Sequence, residues 1–297
     1  MFVVKYILER RLIFMKKITG EIIRNFQQYL YEEEKSDNTI EKYMRDIRFF
    51  KEWLKGREFD KSAVLEYKRE LISKYAPASV NSILSSLNAL FIYLNWYDMK
   101  VKTLKIQKQI FVSKDKELTK AEYERLLTAA KSKNNEQLYY LMQTIASTGI
   151  RISELSSINV EAVKSGQAKI NCKGKLRQIF LPKALCKMLK EYIKKRNIIS
   201  GPVFVTRTGK PLDRCRVWKL LKDLCESANV SKNKVFPHNL RHLFARTFYS
   251  LQKDIVRLAD ILGHSSINTT RIYTMESGIE HQKQLQKLGL LKCCSSF

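Results

Sequence analysis

Two short segments of the sequence place basic and nucleophilic side chains at spacings that suit phosphate chemistry. In HNLRH, His238 and Arg241 stand three residues apart, so they share one face if the segment is helical. His264 follows Gly263 in LGH, and Tyr273 stands nine residues beyond that histidine. A guanidinium pairs with a phosphate through two hydrogen bonds, and a phenol is a workable nucleophile. Taken alone, a His–Arg pair is usually a surface pair and a tyrosine is usually a core side chain. The residues occur together in a fixed order, however, and neither explanation accounts for the whole set.

Two further segments carry side chains that fit the same chemistry. TGIRISEL at residues 148–155 contains Arg151, with Glu154 three residues later. INCKGKLRQIFLP at residues 170–182 alternates on both sides of K-G-K, which predicts a β-hairpin with Gly174 at its turn. Together with HNLRH, LGH and the following tyrosine, these segments resemble the active site of the tyrosine recombinases, in the same order along the chain.

The resemblance runs from about residue 18 to residue 291 and assigns a residue to every catalytic position. TGIRISEL resembles the box with the first catalytic arginine, and the predicted hairpin resembles the one that presents the catalytic lysine within G-K-G. Cys172 replaces the first glycine, so Lys173 aligns best with that lysine and Lys175 is the fallback. The catalytic set implied by the resemblance is Arg151, Lys173, His238, Arg241, His264 and Tyr273.

The resemblance implies site-specific DNA recombination without an external energy source. Tyr273 attacks the scissile phosphate and forms a 3′-phosphotyrosyl link, and the 5′-hydroxyl of a partner strand later attacks that link. The duplexes pass through a Holliday junction. Arg151 and Arg241 match the charge on the non-bridging oxygens, and Lys173 gives the leaving 5′-oxygen a proton.

Three polar residues support these steps in the same interpretation. His238 hydrogen-bonds the phosphate and helps to take the tyrosine proton, and His264 is a further donor to a phosphate oxygen. Glu154 orients the arginine or histidine side chains, although a purely structural acid at this position fits the sequence equally well.

The composition indicates a polyanionic partner. The chain has 297 residues, a formal net charge of +26 and a pI near 9.8, which favours nucleic acid first and an anionic membrane surface second. AT-rich codon usage explains part of a lysine excess equally well. The cysteines form no C-x-x-C pair, which predicts reduced thiols in a cytoplasmic protein. The sequence shows no carboxylate cluster suited to a two-metal nuclease, so neither a metal nor another cofactor is expected.

Helical periodicity and one basic stretch divide the chain. The fold class is predicted as mainly α with a small β-hairpin, in a two-domain clamp of a helical core-binding domain and an α+β catalytic domain. The predicted segments are an N-terminal extension at 1–17, a helical SAM-like DNA-binding domain at 18–98, a basic linker at 99–116, the catalytic domain at 117–277 and a tail helix at 278–297 that docks on a neighbouring copy. Helices of the catalytic domain are expected near 135–147, 183–195, 213–228, 238–250, 254–262 and 266–275.

Basic side chains on the helical domain and around the active site are the predicted DNA contacts. They are Lys42, Arg45, Arg48, Arg177, Arg214 and Arg216. For the first three, a solvated helix face is the simpler explanation in the absence of the resemblance. The expected partner is a double-stranded DNA site, bound by a tetramer of this chain or by a paralogous recombinase, without a membrane.

Several roles fit a strand-exchange enzyme of this kind. Integration and excision of a mobile element, inversion of a segment and resolution of replicon dimers all use the same chemistry. The chain begins almost at the core-binding domain, which favours recombination at simple core sites over the arm-site type of phage integrase. The alternatives are a catalytically inactive DNA-binding protein and a type IB topoisomerase-like relaxase. Base readout depends on groove placement, so the sequence leaves the DNA target open.

Overall fold

The computed structural model of the chain describes residues 15–106, 116–172, 175–264 and 266–273. The predictions for residues 1–14, Lys173 and the tail helix lie outside these ranges. No helix within them is long and apolar enough to cross a membrane. The chain divides into two compact units, Met1–Lys108 and Gln109–Phe297, and the boundary falls inside the stretch that the sequence predicts as a linker.

Within residues 15–106, the first unit consists of four α-helices around an aromatic core. Each helix turns one apolar stripe inward, as α1 does with Ile23, Phe26 and Leu30 at helical spacing. Helices α2 and α4 pack on each other at the centre. The helices are α1 (Gly20–Glu32), α2 (Asp37–Leu54), α3 (Lys61–Lys74) and α4 (Pro77–Tyr93), followed by a 3-10 helix at Tyr97–Met99.

One ion pair lies inside this first core. Asp46 on α2 is 3% exposed, accepts a hydrogen bond from the Ser86 hydroxyl at 2.8 Å and pairs with Lys42 at 3.1 Å. The Lys42 ammonium also donates to Ser86 Oγ at 2.8 Å and to the carbonyl of Ser82. A buried carboxylate requires such compensation. The placement departs from the prediction that Lys42 contacts DNA, because its ammonium donates to Asp46, Ser82 and Ser86 of the same unit.

In its described residues, the second unit combines helices with one two-stranded sheet, so the predicted fold class is confirmed. Its core gathers the apolar faces of the helices, and α6 packs along α10. The elements are α5 (Lys120–Ser132), α6 (Glu136–Thr148), α7 (Val160–Ser165), β1 (Gln167–Cys172), β2 (Lys175–Phe180), α8 (Lys183–Lys195), α9 (Arg214–Lys222), α10 (Pro237–Gln252), α11 (Ile255–Leu262) and α12 (Ile267–Thr270), with 3-10 helices at Ile152–Ser157, Lys232–Lys234 and Arg271–Tyr273.

The predicted hairpin is present between α7 and α8. Strands β1 and β2 are antiparallel, with Gln167 opposite Phe180 and Ile170 opposite Arg177. Ile170 and Ile179 face the core and are nearly inaccessible, as the period of two in the sequence requires. The hairpin therefore lies with one face on the second core.

Two helices of the second unit are shorter than the periodicity predicts. Helix α9 ends at Lys222, and the backbone then tightens, with Cys225 N–H donating to the Lys222 carbonyl at 3.1 Å in an i to i+3 bond. The segment predicted as one helix at 266–275 is α12 followed by the 3-10 helix that ends at Tyr273. Tyr273 in this 3-10 helix is buried.

Candidate active site

Four elements of the second unit meet where the sequence predicts catalytic side chains. Arg151 is the N-cap of the 3-10 helix after α6, and Arg241 lies near the start of α10. His264 follows the glycine that ends α11, and Tyr273 is the last residue of its 3-10 helix. Shared backbone acceptors and direct contacts connect these four side chains into one site.

The turn after α6 depends on a glycine. Gly149 has a φ of +66°, in the left-handed region, and a Cβ there would overlap the ring of Phe244. Both facts require glycine at this position. The carbonyl of Gly149 accepts a hydrogen bond from Arg241 Nη1. The TGIR segment thus presents Arg151 and also fixes the second arginine of the site.

Arg241 is buried, with 1% exposure. Besides Gly149, its guanidinium donates to the carbonyl of Leu262 at 2.7 Å, and its Nη2 lies 3.0 Å from His264 Nε2. Burial lowers the pKa of Arg241 to about 10, and the nearby charge of Arg151 acts in the same direction. The group therefore stays protonated at neutral pH and is held rigidly.

Arg151 is more accessible and is paired with a carboxylate. Its side chain is 35% exposed, and its Nη1 lies 3.0 Å from Glu154 Oε1. The other carboxylate oxygen of Glu154 accepts from the Arg151 backbone N–H at 2.8 Å. Arg151 also donates to the carbonyls of Leu262 at 3.3 Å and Gly263 at 3.4 Å. Glu154 is 4% exposed and lies where the sequence predicts an orienting acid.

His264 is held at both ring nitrogens. An arginine only donates, so Nε2 accepts from Arg241, and Nδ1 then carries the proton and donates to the Thr270 hydroxyl at 2.8 Å. Burial, followed by the charges of Arg241 and Arg151, lowers the pKa of His264 to about 4. The ring is therefore neutral at physiological pH, and its one N–H points to Thr270. The sequence did not single out Thr270, although it sits in the TTRIY run.

Tyr273 is inside the site, with 5% exposure. Its ring stacks at 5.9 Å on His264, with an interplanar angle of 19°, and meets the ring of His242 edge-on at 4.7 Å. The tyrosine also acts against the lowering of the Arg241 pKa, so the two side chains interact. The predicted nucleophile and the predicted phosphate-binding arginine thus lie together within one chain.

The two histidines of HNLRH differ in environment. His238 is exposed at the surface, and its ring packs at 4.5 Å on His242. Desolvation on that side and the positive charges of Arg241 and Arg151 lower the pKa of His238. His242 is more enclosed, its Nε2 is buried without a hydrogen-bond partner in the described parts of the chain, and burial lowers its pKa to about 3. The sequence contained His242 in the motif, one helical turn beyond His238, but it received no role.

The remaining predicted residues divide into two groups. Lys173 and the side chain of Lys175 lie outside the described structure, so the identity of the general acid stays a prediction. Arg177 is 15% exposed and turns toward Glu154 rather than outward. Side chains that are exposed, as DNA contacts must be, are Arg45, Arg48, Arg214 and Arg216.

The arrangement suits nucleophilic attack at a phosphate. The guanidinium of Arg241 interacts with the phenol of Tyr273, Arg151 shares the Leu262 carbonyl with Arg241, and two neutral imidazoles contact the tyrosine ring. Within residues 15–106, 116–172, 175–264 and 266–273, no cluster of three or more His, Cys, Asp or Glu side chains could hold a metal ion.

Comparison with known proteins identifies this arrangement. The profile of the phage integrase family matches residues 116–278, which is more than half of the chain. The chain belongs to the phage integrase family. The profile of the N-terminal SAM-like domain of phage integrases matches residues 23–97, so the predicted resemblance and both kinds of domain are confirmed.

Curated relatives agree over nearly the whole length. Tyrosine recombinase XerA of Pyrococcus furiosus is 30% identical over 288 residues, which cover 93% of this chain and 97% of that protein. The TnP I resolvase of Bacillus thuringiensis is 25% identical and covers 90% of this chain and 100% of its own. The predicted enzyme class, a tyrosine-type site-specific DNA recombinase, is confirmed.

Solved structures share the fold. The crystal structure of XerA recombinase matches 93% of this chain and 100% of its own at 23% identity, with a TM-score of 0.51. A lambda integrase dimer bound to a core site matches 87% of this chain and 95% of its own at 18% identity, with a TM-score of 0.71. At these identities the likeness supports the two-domain architecture.

Proposed function

We propose that this chain cleaves and rejoins DNA through a 3′-phosphotyrosyl intermediate, with Tyr273 as the nucleophile. The supporting observation is the enclosure of Tyr273 by His242 and His264, with His264 bonded to the buried Arg241. The phenol oxygen forms a bond to phosphorus, and the bond to the 5′-oxygen breaks. A partner strand's 5′-hydroxyl then displaces the tyrosine and forms a new phosphodiester, so the number of phosphoester bonds is conserved.

Arg151 and Arg241 are proposed to stabilise the charge that develops on the non-bridging oxygens. Backbone carbonyls hold both guanidinium groups before substrate arrives. Such preorganisation removes reorganisation cost from the reaction step, which is why fixed donors are effective. The lowered pKa of Arg241, about 10, still leaves this group charged at neutral pH.

The histidines are proposed to act in different ways. His264 uses Nε2 as acceptor and Nδ1 as donor within the protein, so we assign it to orienting Arg241 in place of the predicted phosphate contact. His238 is exposed, and its lowered pKa favours a neutral ring that can accept the tyrosine proton. Lys173 stays the proposed proton donor to the leaving 5′-oxygen, with Lys175 as the fallback.

The proposed partner is a double-stranded DNA site in the cytoplasm, recombined by a tetramer of this chain or with a paralogue. The net charge of +26 and the exposed Arg45, Arg48, Arg214 and Arg216 support it. A lambda integrase of the same fold was solved as a tetramer on a Holliday junction. Binding should weaken steeply with salt, because each neutralised phosphate releases counterions. Integration, inversion and dimer resolution stay open.

A nicked suicide substrate tests the proposal, because the cleaved strand diffuses away and the adduct accumulates. Genomic fragments that the protein retains supply the site. Wild type should form a covalent adduct, and Tyr273→Phe should bind the same DNA within about twofold without forming one. No wild-type adduct would indicate the inactive binder. Two-site plasmids then separate the remaining classes, because supercoil relaxation without exchange would indicate a relaxase.

A further inference from the structure

Arg177 occupies an unexpected place in the active site. It lies on β2 opposite Ile170, and its side chain is only 15% exposed. Its Nη2 donates to Glu154 Oε2, and its Nη1 donates to the carbonyl of Ile261 at 2.9 Å. Both terminal nitrogens of the guanidinium are therefore directed at protein acceptors, and the predicted direct contact with DNA does not fit this geometry.

Glu154 connects Arg177 with the catalytic arginine. The same carboxylate, 4% exposed, pairs with Arg151 through Oε1 at 3.0 Å. A carboxylate removed from water needs compensating charge. If Arg177 were absent, Arg151 would be the remaining cation on Glu154, and its guanidinium would be drawn to that carboxylate and away from a substrate phosphate.

The charge at the site leads to the same conclusion. Arg151, Arg177 and Arg241 are three cations, and Glu154 is one anion, so the four groups together carry two net positive charges. A phosphoryl transition state spreads negative charge over its non-bridging oxygens. Loss of Arg177 would halve the net positive charge of this group, even though Arg177 does not itself reach the phosphate.

The end of α11 holds all three arginines. Its last carbonyls accept in sequence from Arg177 at Ile261, from Arg241 at Leu262 and from Arg151 at Gly263. These carbonyls are the negative end of the helix dipole. A Cβ on Gly263 would lie 2.6 Å from Arg177 Cδ. The glycine of LGH thus leaves the space through which Arg177 reaches its acceptors.

We propose that Arg177 is a positioning residue that neutralises Glu154 and thereby keeps Arg151 available to the scissile phosphate. This rests on the proposed function, because the scissile phosphate is the group that Arg151 serves. The role links the hairpin strand β2 to the phosphate-binding arginines through one carboxylate. The proposal also gives Glu154 a role, because this carboxylate pairs with the guanidinium groups of both Arg151 and Arg177.

The test compares cleavage of two suicide substrates at saturating DNA. One carries an ordinary scissile phosphate, and the other carries a methylphosphonate, which lacks the non-bridging negative charge. The variants are Arg177→Met and Arg151→Ala, with Lys169→Met as the control, an exposed lysine on the same hairpin. On the ordinary substrate Arg177→Met should cleave about 10- to 100-fold slower than wild type, and Lys169→Met should match wild type.

On the methylphosphonate, Arg177→Met and Arg151→Ala should both approach the wild-type rate, because the charge that Arg151 binds is gone. Equal defects of Arg177→Met on both substrates would overturn the proposal. So would a defect confined to DNA affinity, which would restore the direct contact. A third suicide substrate, with a 5′-bridging sulfur, serves as a check. If this substrate rescued Arg177→Met and the methylphosphonate did not, the proposal would be overturned, because Arg177 would then act on the leaving group. If wild type forms no adduct on either substrate, the proposed function itself fails.

A double variant distinguishes the proposed role of Arg177 from a defect caused by misfolding of Arg177→Met. Glu154→Gln removes the charge that Arg177 neutralises, so the double variant with Arg177→Met has no uncompensated buried carboxylate. It should cleave faster than Arg177→Met alone, a coupling that appears only when two residues act through each other. If the rate losses of the two single variants simply added in the double variant, the result would contradict the proposal that Arg177 acts on Arg151 through Glu154.

Discussion

Arg151 and Arg241, the two arginines proposed to bind the scissile phosphate, are held by different means, and the difference bears on their charge. Arg241 donates to the carbonyls of Gly149 and Leu262 and to the neutral His264, and it also interacts with the Tyr273 side chain. These acceptors satisfy N–H groups without cancelling the charge, so the positive charge of Arg241 stays available. Arg151 instead bonds Glu154, and Arg177 compensates that carboxylate. The site thus keeps its cations effective although it contains an acid.

Thr270 should matter more than its short side chain suggests. Thr270→Val keeps the volume and removes the acceptor for His264 Nδ1–H, which is 2.8 Å away in the native site. A buried N–H without a partner costs about 1–3 kcal/mol, so His264 should lose its tautomer and its hold on Arg241. Suicide-substrate kinetics should show slower cleavage at unchanged DNA affinity. Thr270→Ser retains the hydroxyl and should cleave at nearly the wild-type rate; equal losses in both variants would assign the defect to packing.

Acid should destabilise the free protein through its half-buried histidines His242 and His264. The native pKa values are about 4 for His264 and about 3 for His242, both below the unfolded value of 6.5. The unfolded chain therefore binds protons first, and stability present above pH 6.5 is lost as the pH falls toward 4. By pH 5 each histidine should remove about 1–2 kcal/mol from the free energy of unfolding. Urea unfolding at pH 7 and pH 5 measures the free energy of unfolding at each pH. In His264→Gln this free energy should depend less on pH than in the wild type.

At the scale of elements, periodicity and motif spacing predicted the helix and the hairpin that carry the site. They did not predict contacts between residues far apart in the sequence. The helical spacing of HNLRH correctly placed His238 and Arg241 at the start of α10, and alternation correctly gave the hairpin. The bond from Arg177 to the Ile261 carbonyl joins residues 84 positions apart, and no local pattern encodes such a pair. The sequence also did not predict the change from α12 to a 3-10 helix at Tyr273, whose ring contacts His242 and His264.

The hairpin turn yields a prediction about the general acid. Lys173→Ala should slow cleavage strongly, because the leaving 5′-oxygen then departs without a proton. A substrate with a bridging 5′-sulfur has a better leaving group and should restore the rate of this variant. Lys175→Ala is the matched control and should respond weakly to sulfur. If sulfur rescues Lys175→Ala and not Lys173→Ala, the acid is the residue on the other side of Gly174.

At the scale of the whole molecule, the second unit contains an apolar groove. The groove has a volume of about 450 Å³, and Leu251 at its side is 76% exposed. Phe244 and Phe248 line the groove and also pack with the cluster that contains Tyr273. An occupant of this groove would therefore contact two aromatic side chains that pack against the cluster containing Tyr273.

The tail predicted at 278–297 supplies a fitting occupant, because Leu285, Leu288 and Leu291 recur at helical spacing and one short helix is marginal alone. We expect it to dock in the groove of a neighbouring copy. Truncation after Ser277 should leave a folded monomer that binds half-sites, while cooperative filling of full sites and strand exchange are lost in gel shifts and plasmid assays.

Leu251→Asp, which places a charge in the apolar groove, should reproduce both losses. Ile199→Asp is the control, at a side chain that is 90% exposed, and it should cause neither loss. A truncated chain that still recombines full sites would show that assembly does not depend on the tail, and a truncated monomer that unfolds would show that the tail packs on its own unit.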